Sequence, residues 1–208
     1  MSQRSMFDPY YITMFALIVV ALCGYALPWI VAPIGSMTLN GHDLAEWSSL
    51  VPSQRATSPP LLAPLLIRVQ PVMLSLLLGG IATGGRRMAM TAAAILLLAA
   101  SQLPPFEFVY DINNLNYRQQ FSLASFSLIV GLCLIPLQTR RLPVLITLPI
   151  AAAGLVASAF GLSMTLALYG AFELNAVPGA GIWVLGLSYV ALIAVALGKI
   201  LSWRRTRL

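Results

Sequence analysis

Long apolar blocks separated by short polar segments dominate the pattern along this chain. A bilayer core about 30 Å thick requires about 20 apolar residues in a helix, and six blocks approach or exceed that length. They span roughly residues 11–31, 61–84, 88–103, 121–137, 143–171 and 181–201. The pattern predicts an all-α, polytopic membrane helix bundle with about six transmembrane helices, in which residues 1–208 form a single integral membrane domain.

Composition narrows the class of protein. The chain is 59% hydrophobic and 9% charged, whereas a typical soluble domain is about 25% charged. So much apolar surface exceeds what one small water-soluble core can bury. This excludes a disordered chain, a disulfide scaffold and a nucleic-acid-binding domain. The net charge of +6 is explained by topology and by contact with anionic membrane lipids, so no nucleic-acid partner is predicted.

The distribution of basic residues predicts the orientation of the bundle. With six spans both termini lie on one side, and that side carries nine of the 12 basic residues, while the other carries Arg55, Arg68 and Arg118. An excess of Lys and Arg marks the cytoplasmic side. We therefore expect cytoplasmic termini and outer loops at about 32–60, 104–120 and 172–180. The nine residues are Arg4, Arg86, Arg87, Arg140, Arg141, Lys199, Arg204, Arg205 and Arg207.

The first outer loop carries a short amphipathic pattern. Asn40-Gly41 predicts a turn, and Leu44, Trp47 and Val51 after it fall on one helical face. This pattern predicts a short helix that lies at the membrane surface. The helix either covers the ends of the spans or docks a partner, and in the second case these three residues form the outer docking face.

Small residues recur at helical spacing in two spans. Ala153, Ala157 and Gly161 are four residues apart in the fifth span, and Gly80 and Gly84 end the second span. Such spacing lets two helices approach closely in a bilayer. We predict that these five residues are helix-packing positions, either within this bundle or against a second protein.

Arg68 is the charged residue that the pattern places inside a span. It lies about seven residues into the second block. One interpretation is that its side chain snorkels to the outer lipid head groups. In the other, it pairs with an outer acid such as Glu173, Glu107 or Asp111, or it contacts an anionic lipid head or ligand.

Candidate catalytic chemistry is sparse. Membrane enzymes and ion-coupled carriers place ionisable groups inside the bundle, whereas the acidic residues here fall in loops or at the ends of spans. His42 is the single histidine, and with Asp43 it makes a conceivable acid–base pair, but one histidine does not form a conventional zinc site. We therefore predict a protein that is not an enzyme, with no catalytic or metal-binding residue, and the sequence indicates no particular cofactor.

Two short motifs resemble a known group of proteins. Leu27-Pro28-Trp29 followed by Leu39-Asn40-Gly41-x-Asp43-Leu44 resembles the exit from the first helix in small bacterial multi-spanning membrane proteins. Pro178-Gly179-Ala180-Gly181-Ile182-Trp183, which opens the last span, fits the same group. Those proteins are uncharacterised, so the resemblance implies no activity. It does imply a multi-pass protein of the bacterial cytoplasmic (inner) membrane.

Two hypotheses for function follow from these patterns. The first is a non-catalytic accessory or scaffold subunit of a larger bacterial membrane complex, whose partners are membrane lipids and other membrane-protein subunits. The second is a carrier or binding protein for an apolar or lipid-like molecule, whose acidic head group would meet Arg68.

Overall fold

A computed structural model of the chain describes residues 9–32, 37–82, 85–136 and 142–205. Its helices are α1 (Pro9–Ala26), α2 (Gly41–Ser49), α3 (Pro52–Arg55), α4 (Leu62–Ile81), α5 (Gly85–Ala100), α6 (Leu115–Leu134), α7 (Leu142–Ala171) and α8 (Ala180–Arg205), with a 3-10 turn at Phe106–Val109. Three short strands are β1 (Pro28–Ala32), β2 (Met37–Asn40) and β3 (Val177–Pro178). Some residues named from the sequence lie outside the described residues: Gly84, Arg4, Arg140, Arg141 and Arg207. For Arg86, Arg204 and Arg205 the structure describes the backbone but not the side chain.

Four of the described helices are long and apolar enough to cross a membrane. They are Pro9–Ala26, Leu62–Ile81, Val144–Ala171 and Ala180–Trp203. These helices indicate a helical membrane protein, and they correspond to the first, second, fifth and sixth predicted spans. The third and fourth predicted spans are not among these helices. Helix α5 is shorter, with 16 residues, and the first turns of α6 are polar.

The predicted first span, 11–31, is wrong at its C-terminal end. Helix α1 ends at Ala26, and the apolar residues that follow form strand β1. Pro28 explains the change, since a proline disfavours helical backbone at the residue before it and lacks an N–H for the helix ladder. The all-α prediction holds for the architecture, and the short sheet is an addition that the pattern did not indicate, because Trp29 and Ile30 are apolar but are buried against protein.

The sheet joins three distant parts of the chain in the order β2-β1-β3. Both pairs are antiparallel, and Ile30 lies opposite Leu39 on one side and Pro178 on the other. The Gly179 backbone N–H donates to the carbonyl oxygen of Trp29 at 2.7 Å. The sheet therefore fixes the exit of α1 to the entry of α8.

Helices α1 and α8 run antiparallel in close contact. A Cβ atom at Gly24 would lie 2.6 Å from the backbone nitrogen of Leu185, so only glycine allows this approach. At the opposite ends of the two helices, the Lys199 ammonium lies 5.4 Å from the centre of the Tyr10 ring. We call this end of the bundle, which holds Tyr10 and Lys199, the terminal end. The opposite end, which holds the sheet, is the sheet end.

Helix α4 lies at the centre of the bundle, where it packs against α1, α2, α5, α6 and α7. Its apolar span is 67% buried, whereas the other three membrane-length helices are 28–39% buried. A helix that is covered on most sides contacts protein around most of its circumference. Its side chains therefore decide how the surrounding helices are arranged.

Small residues set the contact between α4 and α6. A Cβ atom at Gly79 would collide with the carbonyl oxygen of Gly131, and one at Gly131 would lie 3.5 Å from the Ser75 carbonyl oxygen. Ser75 and Gly79 on α4, like Ser127 and Gly131 on α6, are four residues apart. This spacing places both small residues of each helix on one face, where the backbones can meet.

The helix-packing residues predicted in the fifth span have different surroundings in α7. Gly161 packs on α4, since a Cβ atom there would lie 3.0 Å from Ile67 Cγ1, and Ala157 is 8% exposed. Ala153 is exposed. Residues four apart advance about 40° beyond a full helical turn, so a stripe with this spacing winds away from a straight neighbour. Gly154 faces the bundle instead, beneath the Tyr189 ring of α8.

Gly80, the other predicted packing position that is described, also lies in a helix contact. A Cβ atom there would be 2.6 Å from Ile146 Cδ1 of α7. Because Gly80 meets the start of α7 and Ile67 meets its middle, α4 and α7 run antiparallel.

Substituting Gly79 by Leu should destabilise the bundle. The new side chain has no space against the Gly131 carbonyl, and overpacking of this kind costs about 1–3 kcal/mol. Gly170→Leu is the matched control, because no atom of the described part of the chain lies within 4 Å of a Cβ atom at that position. Thermal unfolding of both variants in detergent measures the effect. Equal melting temperatures for the two variants would show that the α4–α6 contact does not depend on glycine.

Candidate functional site

The most buried charge of the described bundle is the Arg68 side chain. Arg68 lies on α4 and is 4% exposed. Its Nη2 donates to Glu46 Oε1 at 2.7 Å, and its Nη1 donates to Gln119 Oε1 at 3.0 Å. The guanidinium is therefore held inside the protein at the sheet end instead of snorkelling to lipid.

The acid that pairs with Arg68 is Glu46, and the three acids named from the sequence are not its partners among the described residues. Those candidates, Glu173, Glu107 and Asp111, lie in the later loops, and all three are exposed. Glu46 is 22 residues before Arg68, and helix α2 carries it over the first turns of α4. The pairing depends on the path of the chain between them, which the spacing of residues alone does not specify.

Glu46 also connects α2 to α6. Its Oε1 accepts from Gln120 Nε2 at 2.8 Å, and its Oε2 accepts from Asn116 Nδ2 at 3.4 Å. We call this set the Arg68 cluster. Its members are Glu46 on α2, Arg68 on α4, and Asn116, Gln119 and Gln120 on α6.

The Asn-Gly turn places α2 in position to supply Glu46. Asn40 is the N-cap of α2, and its Oδ1 accepts from the Asp43 backbone N–H at 2.9 Å. A Cβ atom at Gly41 would lie 2.5 Å from Tyr25 Cε2 and 3.2 Å from Trp29 Cε2. Only glycine lets the helix begin this close to the two rings. The Tyr25 and Trp29 rings are packed edge to face, with 5.9 Å between their centroids.

The predicted docking face of α2 makes contacts within the chain. Leu44 is fully buried, and Val51 is half-buried. The Trp47 ring lies 4.2 Å from the ring of Tyr169 and 5.9 Å from that of Phe172, measured between centroids. Leu44 and Trp47 hold α2 on the bundle, so the predicted helix is present with these two side chains directed inward, whereas Val51 lies after its end.

A small cavity lies beside the Arg68 cluster. It measures about 10 Å³ and is lined by Tyr25, His42, Glu46, Arg68, Gln102, Gln120 and Leu123, which is close to the least space that holds one water molecule. Gln102 is 8% exposed, and its Oε1 has no hydrogen-bond partner among the described residues. In the described part of the chain, no three His, Cys, Asp or Glu residues lie close enough together to hold a metal ion.

A second buried polar contact joins α4, α7 and α8. The Tyr189 hydroxyl donates to Gln70 Oε1 at 2.8 Å, and Gln70 Nε2 donates to the Leu66 carbonyl oxygen at 3.1 Å. The Tyr189 ring crosses Gly154, where a Cβ atom would lie 2.5 Å from Cζ. Gln70 is not among the residues predicted from the sequence, because it is uncharged and lies within an apolar block. The sequence feature that could have identified Gln70 is a polar amide, two residues after Arg68, in an otherwise apolar block.

A larger polar cleft opens next to the Arg68 cluster. Its volume is about 360 Å³, and it is lined by Ser49, Arg55, Leu61, Asp111, Asn113, Asn114, Leu115 and Asn116. Asn116 belongs to both sites, since it lines the cleft and donates to Glu46. This cleft is not predictable from local sequence patterns, because its residues come from two distant stretches, 49–61 and 111–116.

The Arg68 cluster is an ion pair with hydrogen bonds that link three helices. Two nitrogens of the guanidinium and both oxygens of the carboxylate are engaged by side chains of the chain itself. Hydrogen bonds to charged groups contribute about 1.5–3 kcal/mol each. The cluster therefore joins α2, α4 and α6 more strongly than apolar contact alone.

Removing the carboxylate should cost more stability than removing the guanidinium. Glu46→Gln leaves the Arg68 charge buried without a counter-ion, which costs about 3–5 kcal/mol in a fully buried site. We expect the lower end of that range, because the Glu46 side chain is 38% exposed. Arg68→Met should be milder, since water can hydrate the carboxylate that remains. Melting temperatures in detergent test the order.

Glu107→Gln is the matched control for this experiment, because Glu107 is an exposed acid outside the cluster. It should melt like the wild-type protein. A larger loss of stability for Arg68→Met than for Glu46→Gln would contradict the assignment of Arg68 as the buried partner.

Comparison with known proteins gives no relative for this chain. No protein-family model, curated protein or solved structure matches it. The two motifs singled out in the sequence lie close together in the structure. Leu27-Pro28-Trp29 leads into β1, Asn40-Gly41 follows β2, and Pro178-Gly179 ends β3. Most of these residues belong to the sheet and the start of α2, while Ala180–Trp183 form the start of α8.

Proposed function

We propose that this chain is a non-catalytic accessory or scaffold subunit of a larger bacterial membrane complex. In this proposal it spans the cytoplasmic membrane six times, with both termini in the cytoplasm. The observation that carries the scaffold role is an ordered, exposed aromatic loop at the sheet end, at residues 103–114. Two further observations support the topology.

The first observation on topology concerns α4, α5 and α6. Arg68 and Gln119, near the starts of α4 and α6, are hydrogen-bonded, and Gly79 and Gly131, near their ends, are in contact. The two helices are thus parallel, so α5 has to return the chain between them. Its 16 residues extend about 24 Å at 1.5 Å per residue, which favours a crossing by α5 and hence by α6.

The second observation concerns the chain ends. Tyr10 and Lys199 are in contact at the terminal end, as an even number of spans requires. The terminal end also holds Arg87 at the start of α5. Because basic residues favour the cytoplasmic side, we assign the terminal end to the cytoplasm and the sheet end to the outer side.

Reporter fusions test this topology. A fluorescent protein that matures only in the cytoplasm should be active after Leu208, and a phosphatase that needs the periplasm should be inactive there. The same phosphatase inserted after Ile112, in the aromatic loop, should be active. Phosphatase activity at the C-terminus would overturn the assignment of both termini to the cytoplasm.

The aromatic loop exposes several large apolar side chains. Phe106, Val109, Tyr110 and Ile112 are each more than half exposed, and Tyr110 reaches 82%. They lie outside the apolar spans, in the segment between α5 and α6. Contiguous exposed apolar side chains of this kind mark a surface for interaction.

The loop is held in one conformation by its own contacts. Backbone hydrogen bonds of 3.0 Å close the turns from Phe108 to Pro105 and from Asp111 to Glu107. The Phe108 ring is half-buried and stacks on Phe121 at 5.2 Å between centroids. A partner would therefore meet a preformed surface, which lowers the entropic cost of binding.

Charge favours a protein as the occupant of this surface. Glu107 and Asp111 lie between the exposed apolar residues, so the loop is acidic, and anionic lipid head groups would repel it. A membrane-protein partner with apolar and basic residues in its outer loops is complementary to it. The carrier hypothesis has less support, because it requires Arg68 to meet a ligand, and Arg68 is engaged within the chain.

Photo-crosslinking in native membranes tests the scaffold role. A benzophenone amino acid in place of Tyr110 should give one discrete adduct with a second membrane protein. The same substitution at Leu97, which is 71% exposed on α5, is the control and should give lipid adducts. Glu107→Lys should reduce the adduct at position 110 severalfold, since it reverses a charge in the surface. Only lipid adducts at position 110, or only adducts with a second copy of this chain, would contradict the proposal.

A further inference from the structure

Both ends of the aromatic loop adjoin the Arg68 cluster. Before the loop, Gln102 is 8% exposed and lines the small cavity together with Glu46 and Arg68. At the end of the loop, Asn114 caps helix α6, whose first turns hold the remaining members of the cluster. The loop that exposes the aromatic side chains is therefore attached to the bundle at the cluster on either side.

The first turns of α6 are attached to α2 by amide side chains. Asn116 Nδ2 and Gln120 Nε2 donate to the two carboxylate oxygens of Glu46, at 3.4 and 2.8 Å. Leu115, the apolar residue that opens the helix, is 43% exposed and buries only part of its side chain. The position of these turns therefore depends strongly on hydrogen bonds to a charged group, which are shorter and stronger than neutral ones.

Consecutive residues of α6 connect the cluster to the aromatic loop. Gln120 is 5% exposed and donates to Glu46, whereas Phe121 is 46% exposed and stacks on Phe108 of the loop. Neighbouring residues project about 100° apart around a helix of 3.6 residues per turn, so a rotation of this turn moves both side chains together. The bond between Gln120 and Glu46 therefore also sets where the Phe108 ring rests.

We propose that Glu46 and Gln120 are positioning residues for the aromatic loop, a role that rests on the proposed function of this loop as the partner surface. Through the start of α6 they set the position in which Tyr110 and its exposed neighbours meet a partner. Two linked sites affect each other by the same free energy. A bound partner therefore stabilises the Arg68 cluster in return.

Photo-crosslinking in native membranes tests this coupling. The benzophenone amino acid at position 110 is combined with Gln120→Met, which removes one donor to Glu46 and keeps the ion pair between Glu46 and Arg68. The yield of the adduct with the partner, relative to the amount of the variant in the membrane, should fall about fivefold or more. This is the lower end of the coupling that is typical between linked sites.

Gln70→Met is the matched control. Gln70 is fully buried, and its substitution removes a hydrogen bond of 2.8 Å from Tyr189 between α4 and α8. This variant should melt at a lower temperature than the wild-type protein and keep the adduct at position 110. An unchanged adduct in Gln120→Met would overturn the positioning role and leave the proposed function in place. An equal loss in both variants would also overturn it, since the adduct would then follow the stability of the whole bundle.

Hydrogen–deuterium exchange of the purified full-length variants gives a readout that needs no partner. The backbone amides of residues 106–111 should exchange faster in Gln120→Met than in Gln70→Met, because only the first variant releases the start of α6. If the wild-type chain forms no protein adduct at position 110, the proposed function fails, and this comparison still decides the positioning role. Equal exchange of these amides in the two variants would overturn it.

Discussion

The burial of one positive charge, that of Arg68 on the central helix α4, constrains the arrangement of the whole sheet end. A guanidinium that is 4% exposed needs a counter-ion inside the protein, since leaving a charge buried and unpaired costs several kcal/mol. Glu46 provides it at 2.7 Å, and Glu46 is within reach only if α2 folds back over α4. The proline after α1, the strand β1 and the Asn-capped start of α2 all serve that return of the chain.

The helices are held together by polar side chains at one end of the bundle and by small residues toward the other. At the sheet end, polar side chains of α2, α4 and α6 hold the helices together. Toward the terminal end, the contacts come from small residues such as Gly79 and Gly131, which let backbones touch. Apolar side chains do not drive association in lipid, so close packing and hydrogen bonds decide it. In the proposed function, the exposed aromatic loop is the surface that meets a partner.

Sequence patterns predicted the parts of the structure that depend on local composition. The membrane-length helices and the amphipathic helix α2 are of this kind, because hydropathy and helical spacing are local properties. The sheet was missed because Trp29 and Ile30 are as apolar as lipid-facing residues, and only the position of Pro28 indicated a break. The partner of Arg68 was missed because it depends on the path of the chain over 22 residues. The polar cleft was missed because its residues become neighbours only in the fold.

The most direct test of the role of Arg68 is hydrogen–deuterium exchange of the wild-type protein and the Glu46→Gln variant in the same detergent. The backbone amides of α2 and of the first turns of α6 should exchange faster in the variant. Those of α8 and of the first half of α7, which hold no member of the Arg68 cluster, should be unchanged. If exchange in α2 is unaffected, or if it rises equally in all helices, the Arg68–Glu46 pair does not hold the sheet end on the bundle.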